Sequence, residues 1–214
     1  MTPGILFQDR RFLVVDKPAG LAVHVGRAGG ESVEDFFPAW RVGRDGPWLA
    51  HRLDRDTAGC LAVALKKAAL VEAQGYFARG EVAKTYWAVV CGAPGADRGV
   101  VELPLAKVTV GKRWKMAVDE AAPPAVTGWE VKGRGDGIAW VEFTPRTGRT
   151  HQVRAHAMLL GHPIFGDEVY GGRAGRLMLL ARRIEIPLEP RVVATAPVPA
   201  HMMALMRSCG YGAE

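Results

Sequence analysis

Residues 51–60 read His-Arg-Leu-Asp-Arg-Asp-Thr-Ala-Gly-Cys and place one carboxylate, Asp54, between two guanidinium groups, Arg52 and Arg55. An apolar run over 61–65 follows at once and reads as a buried strand, bounded by Gly59. A loop leading into a buried strand suits a reactive carboxylate, because a rigid element positions it while solvent and substrate still reach it. The flanking cations favour the charged form of the acid and attract a phosphate-bearing partner. Such a group can act as a nucleophile or can assist the departure of a leaving group. The competing reading of these ten residues is a solvated turn rich in ion pairs.

A second group of reactive side chains lies at 145–171, Pro-Arg-Thr-Gly-Arg-Thr-His-Gln-Val-Arg-Ala-His-Ala-Met-Leu-Leu-Gly-His-Pro-Ile-Phe-Gly-Asp-Glu-Val-Tyr-Gly. A strand ending near Thr144 delivers Arg146 and Arg149 into a turn, and a helix over 152–160 follows, with Thr150 as its expected N-cap and Gly161 and Pro163 closing it. His151, His156, His162 and Asp167 carry metal-ligand chemistry. However, His151 and His156 are five apart and fall on different helical faces, whereas paired histidine ligands on a helix stand four apart. A helix start ringed by arginine reads instead as an anion site, and no metal is expected.

The elements that must position these groups are legible along the chain. Strands are expected over 12–16, 21–24 and 84–91, and a helix over 66–79 ends at Gly80. Residues 26–30 form a flexible loop, and Ser32 has N-cap character before a short acidic stretch. A basic hairpin over 100–119 turns at 110–112 and carries Lys107, Lys112, Arg113 and Lys115, and a second hairpin joins 126–132 to 138–144. Strands over 177–181 and 184–188 and a terminal helix over 198–207 complete the pattern. Many hairpin-linked strands with a few helices give an α+β domain with a largely antiparallel or mixed sheet. No glycine-rich phosphate loop joins a strand to a helix, which argues against nucleotide-driven chemistry.

The chain has 214 residues, room for one large domain or two small lobes. Its apolar stretches are too short for a membrane span, and its start lacks the pattern of a signal peptide. Cys60, Cys91 and Cys209 are scattered, fit no metal spacing, and suit a reducing cytoplasm. The formal net charge is +6. Between Arg146 and Arg183, seven arginines stand against two acids, a local excess of +5 that points to a polyanionic partner.

The segment around Asp54, His-Arg-Leu-Asp-Arg-Asp-Thr-Ala-Gly, resembles the catalytic motif of the RluA family of RNA pseudouridine synthases. The run 148–171 resembles that family's later motif. Val-Asp-Lys-Pro-Ala-Gly-Leu-Ala-Val-His at 15–24 and Lys-Thr-Tyr-Trp-Ala at 84–88 agree in the same order. Departures are few. Ala58 stands where the family usually has serine, Ala-Pro-Pro-Ala-Val-Thr at 122–127 replaces a common Gly-Lys-Pro-Ala-x-Thr, and Leu180 sits where histidine is frequent.

The resemblance implies the pseudouridine synthase fold, a mixed, largely antiparallel central sheet flanked by helices and loops. It implies a single catalytic domain over 1–214 without an S4 RNA-binding domain. The implied activity is isomerisation of specific uridines in tRNA, large-subunit rRNA or both, with no cofactor. Asp54, Tyr86 and Arg154 are the implied catalytic residues: Asp54 reacts, Arg154 pairs with it, and Tyr86 stacks on the uracil and can move a proton. Arg55 is the implied wedge that fills the gap left by an extruded base. His51, Arg52 and Thr57 hold the loop. Arg146, Arg149, Lys17 and the 107–115 hairpin bind phosphates, and Leu179 closes the pocket against the base. A monomer in the cytoplasm, acting on RNA rather than DNA or membrane, is expected. The alternatives are a non-catalytic RNA-binding module on the same scaffold, and an unrelated hydrolase using Asp54 with His51.

Overall fold

A computed structural model describes residues 2–25, 29–111 and 113–212, the side chain of Arg113 excepted. The elements in chain order are β1 (Gly4–Gln8), β2 (Phe12–Lys17), a one-turn 3-10 helix (Val33–Phe36), α1 (Phe37–Trp40), β3 (Trp48–Leu49), β4 (Ala58–Ala64), α2 (Lys67–Arg79) and β5 (Ala83–Cys91). There follow β6 (Arg98–Glu102), β7 (Leu105–Val110), β8 (Arg113–Val118), β9 (Val126–Gly135), β10 (Ile138–Pro145), α3 (Gln152–Leu159), β11 (Leu179–Ile186), β12 (Val192–Thr195) and α4 (Ala200–Ser208). This is an α+β fold with a mixed, mostly antiparallel sheet and few helices. The chain divides into two compact units, one of residues 1–84 with 180–197 and one of residues 85–179 with 198–214.

The first unit is organised around β4, whose seven residues are all buried. Its expected apolar run pairs antiparallel with β2, Leu13 opposite Val63 and Asp16 opposite Cys60. Its other edge takes β3 at Val63 and Ala64, and β11 in parallel at Ala58 and Gly59. Gly59 is required there: its φ is 107°, and a Cβ would lie 2.3 Å from the Ala181 carbonyl oxygen. α2 ends as its sequence predicts, with Gly80 left-handed at φ 72° and its N–H returning to the Phe77 carbonyl. The Asp35 carboxylate accepts the Ser32 N–H at 2.8 Å, half of the expected cap.

Two expectations change here. Residues 21–24 form no strand; Ala22 makes a single bridge to Ser32, because the chain is instead turned toward Lys17. The two strands expected over 177–188 are one, β11, since the backbone runs on through Arg182 and Arg183, between buried Ala181 and Ile184, without a turn. Residues 26–28, within the expected flexible loop, lie outside the described residues, as does Lys112 of the basic hairpin.

The second unit holds β5, β10, β9 and β6 as an antiparallel run, with Tyr86 opposite Phe143 and Val101 opposite Thr127. β7 and β8 make the expected hairpin as a separate two-stranded sheet, Thr109 opposite Trp114. β6 leaves that hairpin to pair with β9, so residues 100–102 belong to the larger sheet. A small core of Leu105, Met116, Ala125, Ala155 and Tyr170 joins the base of the hairpin to α3. In α4, Met202 and Met206 are fully buried, which makes the methionine group core material. No helix among the described residues is long and apolar enough to cross a membrane.

Candidate functional site

The first unit presents Asp54 on a loop that its own neighbours hold rigid. Leu53 and Thr57 are buried on either side, while Asp54 is half-buried and Arg52 and Arg55 are exposed. The Thr57 N–H returns to the Asp54 carbonyl at 3.2 Å, closing the turn that aims the carboxylate. His51 secures the loop to β4: its Nε2 accepts the Ala62 N–H at 3.0 Å, and its ring packs on Phe77 with centroids 5.2 Å apart. Burial, reinforced by the positive charge of Lys84, pushes the His51 imidazole down to about 4. His51 is therefore neutral at physiological pH and acts as an acceptor within the scaffold.

Lys17 departs from its expected place at the phosphates. It is 0% exposed, and its ammonium donates to the carbonyls of Arg55 at 2.8 Å, Leu21 at 2.9 Å and Pro18 at 3.0 Å. Three acceptors consume the three donors of an ammonium, so Lys17 serves the loop rather than a phosphate. Burial pushes it down to about 8, against the pull of the Asp56 and Asp54 carboxylates. Arg55 completes the knot. Its carbonyl also accepts the Gly20 N–H, and its Nε donates to the Gly20 carbonyl at 2.9 Å. The turn at 17–21 and the loop at 51–57 are thus one structure.

The second unit holds Arg154, Tyr86, Arg146, Arg149 and Leu179. The N-cap of α3 is His151, whose φ is 51°, and not Thr150 as expected. A left-handed residue there turns the chain sharply out of the 145–150 loop. Gln152 clamps that loop: its side-chain oxygen accepts from the Thr147 hydroxyl at 2.7 Å and the Arg149 N–H at 2.9 Å. Its amide nitrogen donates to the Val126 carbonyl at 3.0 Å and the Thr127 hydroxyl at 2.9 Å. Arg146 and Arg149 are left exposed on the clamped loop, where phosphates can reach them. Tyr86 is half-buried on β5, and Leu179 is buried at the start of β11.

Arg154 is 7% exposed. Asp167 grips it in a fork, Nε to Oδ2 at 2.7 Å and a terminal nitrogen to Oδ1 at 2.8 Å, and Tyr170 lies under it with the guanidinium carbon 5.4 Å from the ring centroid. Oδ1 of Asp167 also accepts the N–H groups of Val169 and Tyr170. Asp167, Tyr170 and Gln152 are the residues that sequence reasoning left without a role. The available signal was the chain reversal at Gly161 and Pro163, which returns residues 164–170 to the helix. The histidines considered as ligands go elsewhere. His156 meets the Thr127 hydroxyl at 2.8 Å and the Leu103 carbonyl at 3.1 Å, and burial lowers its pKa. His162 meets the Cys91 carbonyl at 3.0 Å. Among the described residues no group of three or more His, Cys, Asp or Glu could hold a metal ion.

The basic run between Arg146 and Arg183 is not one footprint. Arg154 is buried, Arg183 pairs with Glu185 at 3.1 Å, and Arg182 donates to the Ala196 carbonyl.

Comparison with known proteins follows the same lines. A family model described as RNA pseudouridylate synthase matches residues 11–158. An uncharacterized RNA pseudouridine synthase of Zymomonas mobilis subsp. mobilis is 40% identical over 204 residues, which cover 91% of this chain and 93% of the relative. The dual-specificity RNA pseudouridine synthase RluA of Escherichia coli K12 is 40% identical over 177 residues, 81% of this chain and 80% of the relative. Among solved structures, human RNA pseudouridylate synthase domain containing 4 superposes with a TM-score of 0.82 at 27% identity, covering 96% of this chain and 92% of that one.

Proposed function

The chain belongs to the RluA family of RNA pseudouridine synthases, isomerases that act on uridine in RNA, and we propose that its reacting carboxylate is Asp54. The observation that carries this reading is the loop at 51–57, locked by Lys17 on one side and His51 on the other while Asp54 keeps a part-exposed side chain. Rigid support beneath a reachable acid is what a carboxylate needs to meet one atom of a substrate repeatedly.

The isomerisation breaks the N1–C1′ bond of a uridine and forms a C5–C1′ bond. The proton on C5 leaves and N1 ends protonated, so atoms and electrons balance without an oxidant or an energy source. Asp54 acts as nucleophile or assists base departure. Arg154, its plane held by Asp167 and Tyr170, is the second catalytic residue that the resemblance implies. Tyr86 stacks on the uracil. Extruding a stacked base costs a few kcal/mol, and Arg55, exposed beside Asp54, offsets part of that by occupying the gap. Arg52, Arg146 and Arg149 take phosphates. His51 and Lys17 act through the loop, and Leu179 is the apolar residue that meets the base. The substrate is a stem-loop of tRNA or large-subunit rRNA, since loop bases splay out at least cost, and the enzyme works in the cytoplasm as a monomer.

The test is tritium release from tRNA and rRNA transcripts labelled at uracil C5. Release by the wild-type chain is expected. Binding of these RNAs without release would instead favour a non-catalytic RNA module. If Arg52, Arg146 and Arg149 each neutralise one phosphate, log K falls against log salt with a slope of about −2, and a flat response would contradict phosphate-led recognition.

A further inference from the structure

The β7–β8 hairpin is tied to the helix that carries Arg154, and the tie runs through aromatic rings. Trp114 on β8, 38% exposed, stacks on the ring of His151 with centroids 4.7 Å apart and planes 23° apart. The ammonium of Lys107, on β7, stands 4.6 Å from the Trp114 ring centroid. His151 in turn meets Tyr170 edge to face at 5.8 Å, and its Nδ1 lies 3.2 Å from the Tyr170 hydroxyl. The same hydroxyl accepts the N–H of Met116, on the hairpin strand itself, at 2.9 Å. Tyr170 lies beneath the Arg154 guanidinium that Asp167 grips. An exposed cation on the hairpin is therefore joined to a buried guanidinium by a chain of touching side chains.

His151 is the residue where this chain is most constrained. It is the only non-glycine residue with a positive φ among the described residues. Left-handed backbone costs a side-chain-bearing residue about 1 kcal/mol, and strain of that kind persists where surrounding contacts over-determine it. Glycine would fit the same backbone without steric cost, so a histidine at this position is justified by its ring. That ring has Trp114 on one side and Tyr170 at its edge.

We propose that Trp114 and His151 are positioning residues: through Tyr170 they set the plane of the Arg154 guanidinium, so that the β7–β8 hairpin governs the rate of the chemical step and not only the affinity for RNA. This rests on the reading of Arg154 as a site residue of the synthase. A hairpin that merely bound phosphate would change the dissociation constant when altered. A hairpin that positions Arg154 changes the rate at saturating RNA.

The experiment is single-turnover tritium release at saturating RNA, with the dissociation constant measured separately. Trp114→Leu removes the stack, Trp114→Phe keeps a ring on His151, and Tyr170→Phe keeps the ring under Arg154 while deleting the hydroxyl that touches both His151 and Met116. Trp114→Leu and Tyr170→Phe should slow the saturating rate about tenfold with dissociation constants within about threefold of wild type, and Trp114→Phe should recover most of the rate. Wild-type saturating rates in Trp114→Leu and Tyr170→Phe would overturn the proposal, as would Trp114→Phe being as slow as Trp114→Leu. Should Trp114→Leu fail to fold, judged by its melting temperature, Tyr170→Phe decides alone. Absence of turnover in the wild-type chain counts against the proposed function, whereas turnover in the wild type with unaltered variants counts against the positioning role only.

Discussion

Replacing Asp167 by asparagine changes one atom in the most buried ion pair described here, and the cost can be worked from its geometry. The Asp167 side chain is 0% exposed and that of Arg154 is 9% exposed, with Nε to Oδ2 at 2.7 Å. Oδ1 serves three donors: a terminal nitrogen of Arg154 and the N–H groups of Val169 and Tyr170. If the asparagine oxygen keeps the Oδ1 position, its NH2 faces Arg154 Nε–H, donor against donor. If it flips, two backbone N–H groups lose their acceptor. Either way the guanidinium loses a carboxylate at close range. Removing one partner of a buried pair costs about 3–5 kcal/mol, a large part of the total stability of a chain of this size. Urea unfolding of wild type and Asp167→Asn measures this directly. The double replacement Arg154→Met with Asp167→Leu should restore part of the loss and remain inactive, because an apolar pair leaves no buried charge but still deprives the N–H groups of Val169 and Tyr170 of their acceptor. A loss below about 1 kcal/mol in Asp167→Asn would refute the reasoning, for it would mean that the fork contributes no more than an exposed pair.

The remaining predictions concern the first unit. His51 titrates at about 4 in the native chain, against about 6.5 when unfolded, so between these values the unfolded chain binds the extra proton and stability falls as pH falls. The loss reaches about 3 kcal/mol by pH 4 and should shrink in His51→Gln; urea unfolding from pH 7 to pH 4.5 with equal slopes in both proteins would contradict this. Lys17→Met strips the charge-assisted donor from three carbonyls, which should cost about 2 kcal/mol and speed amide exchange at Gly20 and Thr57, and unchanged exchange at both would count against the knot. Gly59→Ala places a Cβ 2.3 Å from the Ala181 carbonyl oxygen at a φ of 107°; a thermal melt should show a loss of about 3 kcal/mol or more, and a wild-type melt would show that β4 and β11 shift apart at no cost.

Local pattern was enough for much of this fold. The all-apolar run before Leu65, the helix closed by Gly80 and the β9–β10 hairpin follow from periodicity and turn residues, which act over a few positions. The side-chain destinations were harder to read. Lys17, in a segment that also carries Asp16, looks like a surface cation until the carbonyls of Pro18, Leu21 and Arg55 converge on it, and that convergence depends on a loop 38 residues away. Asp167 looks like an isolated acid until the chain reversal brings it to Arg154. Thr150 has the chemistry of a cap, yet the clamp made by Gln152 and the stacking of His151 on Trp114 move the cap by one residue, to His151. The arginines between 146 and 183 read as one basic run, but tertiary packing buries one of them and spends others on internal partners. Family motifs named Asp54, Tyr86 and Arg154 together, which no periodicity could have done.

The central claim is that Asp54 performs the chemistry, and Asp54→Asn tests it most directly because the amide keeps the size of the side chain and removes its charge. Tritium release from C5-labelled RNA under single-turnover conditions should be undetectable in Asp54→Asn while the dissociation constant for the same RNA stays within about threefold of wild type. Release at the wild-type rate by Asp54→Asn would contradict the account.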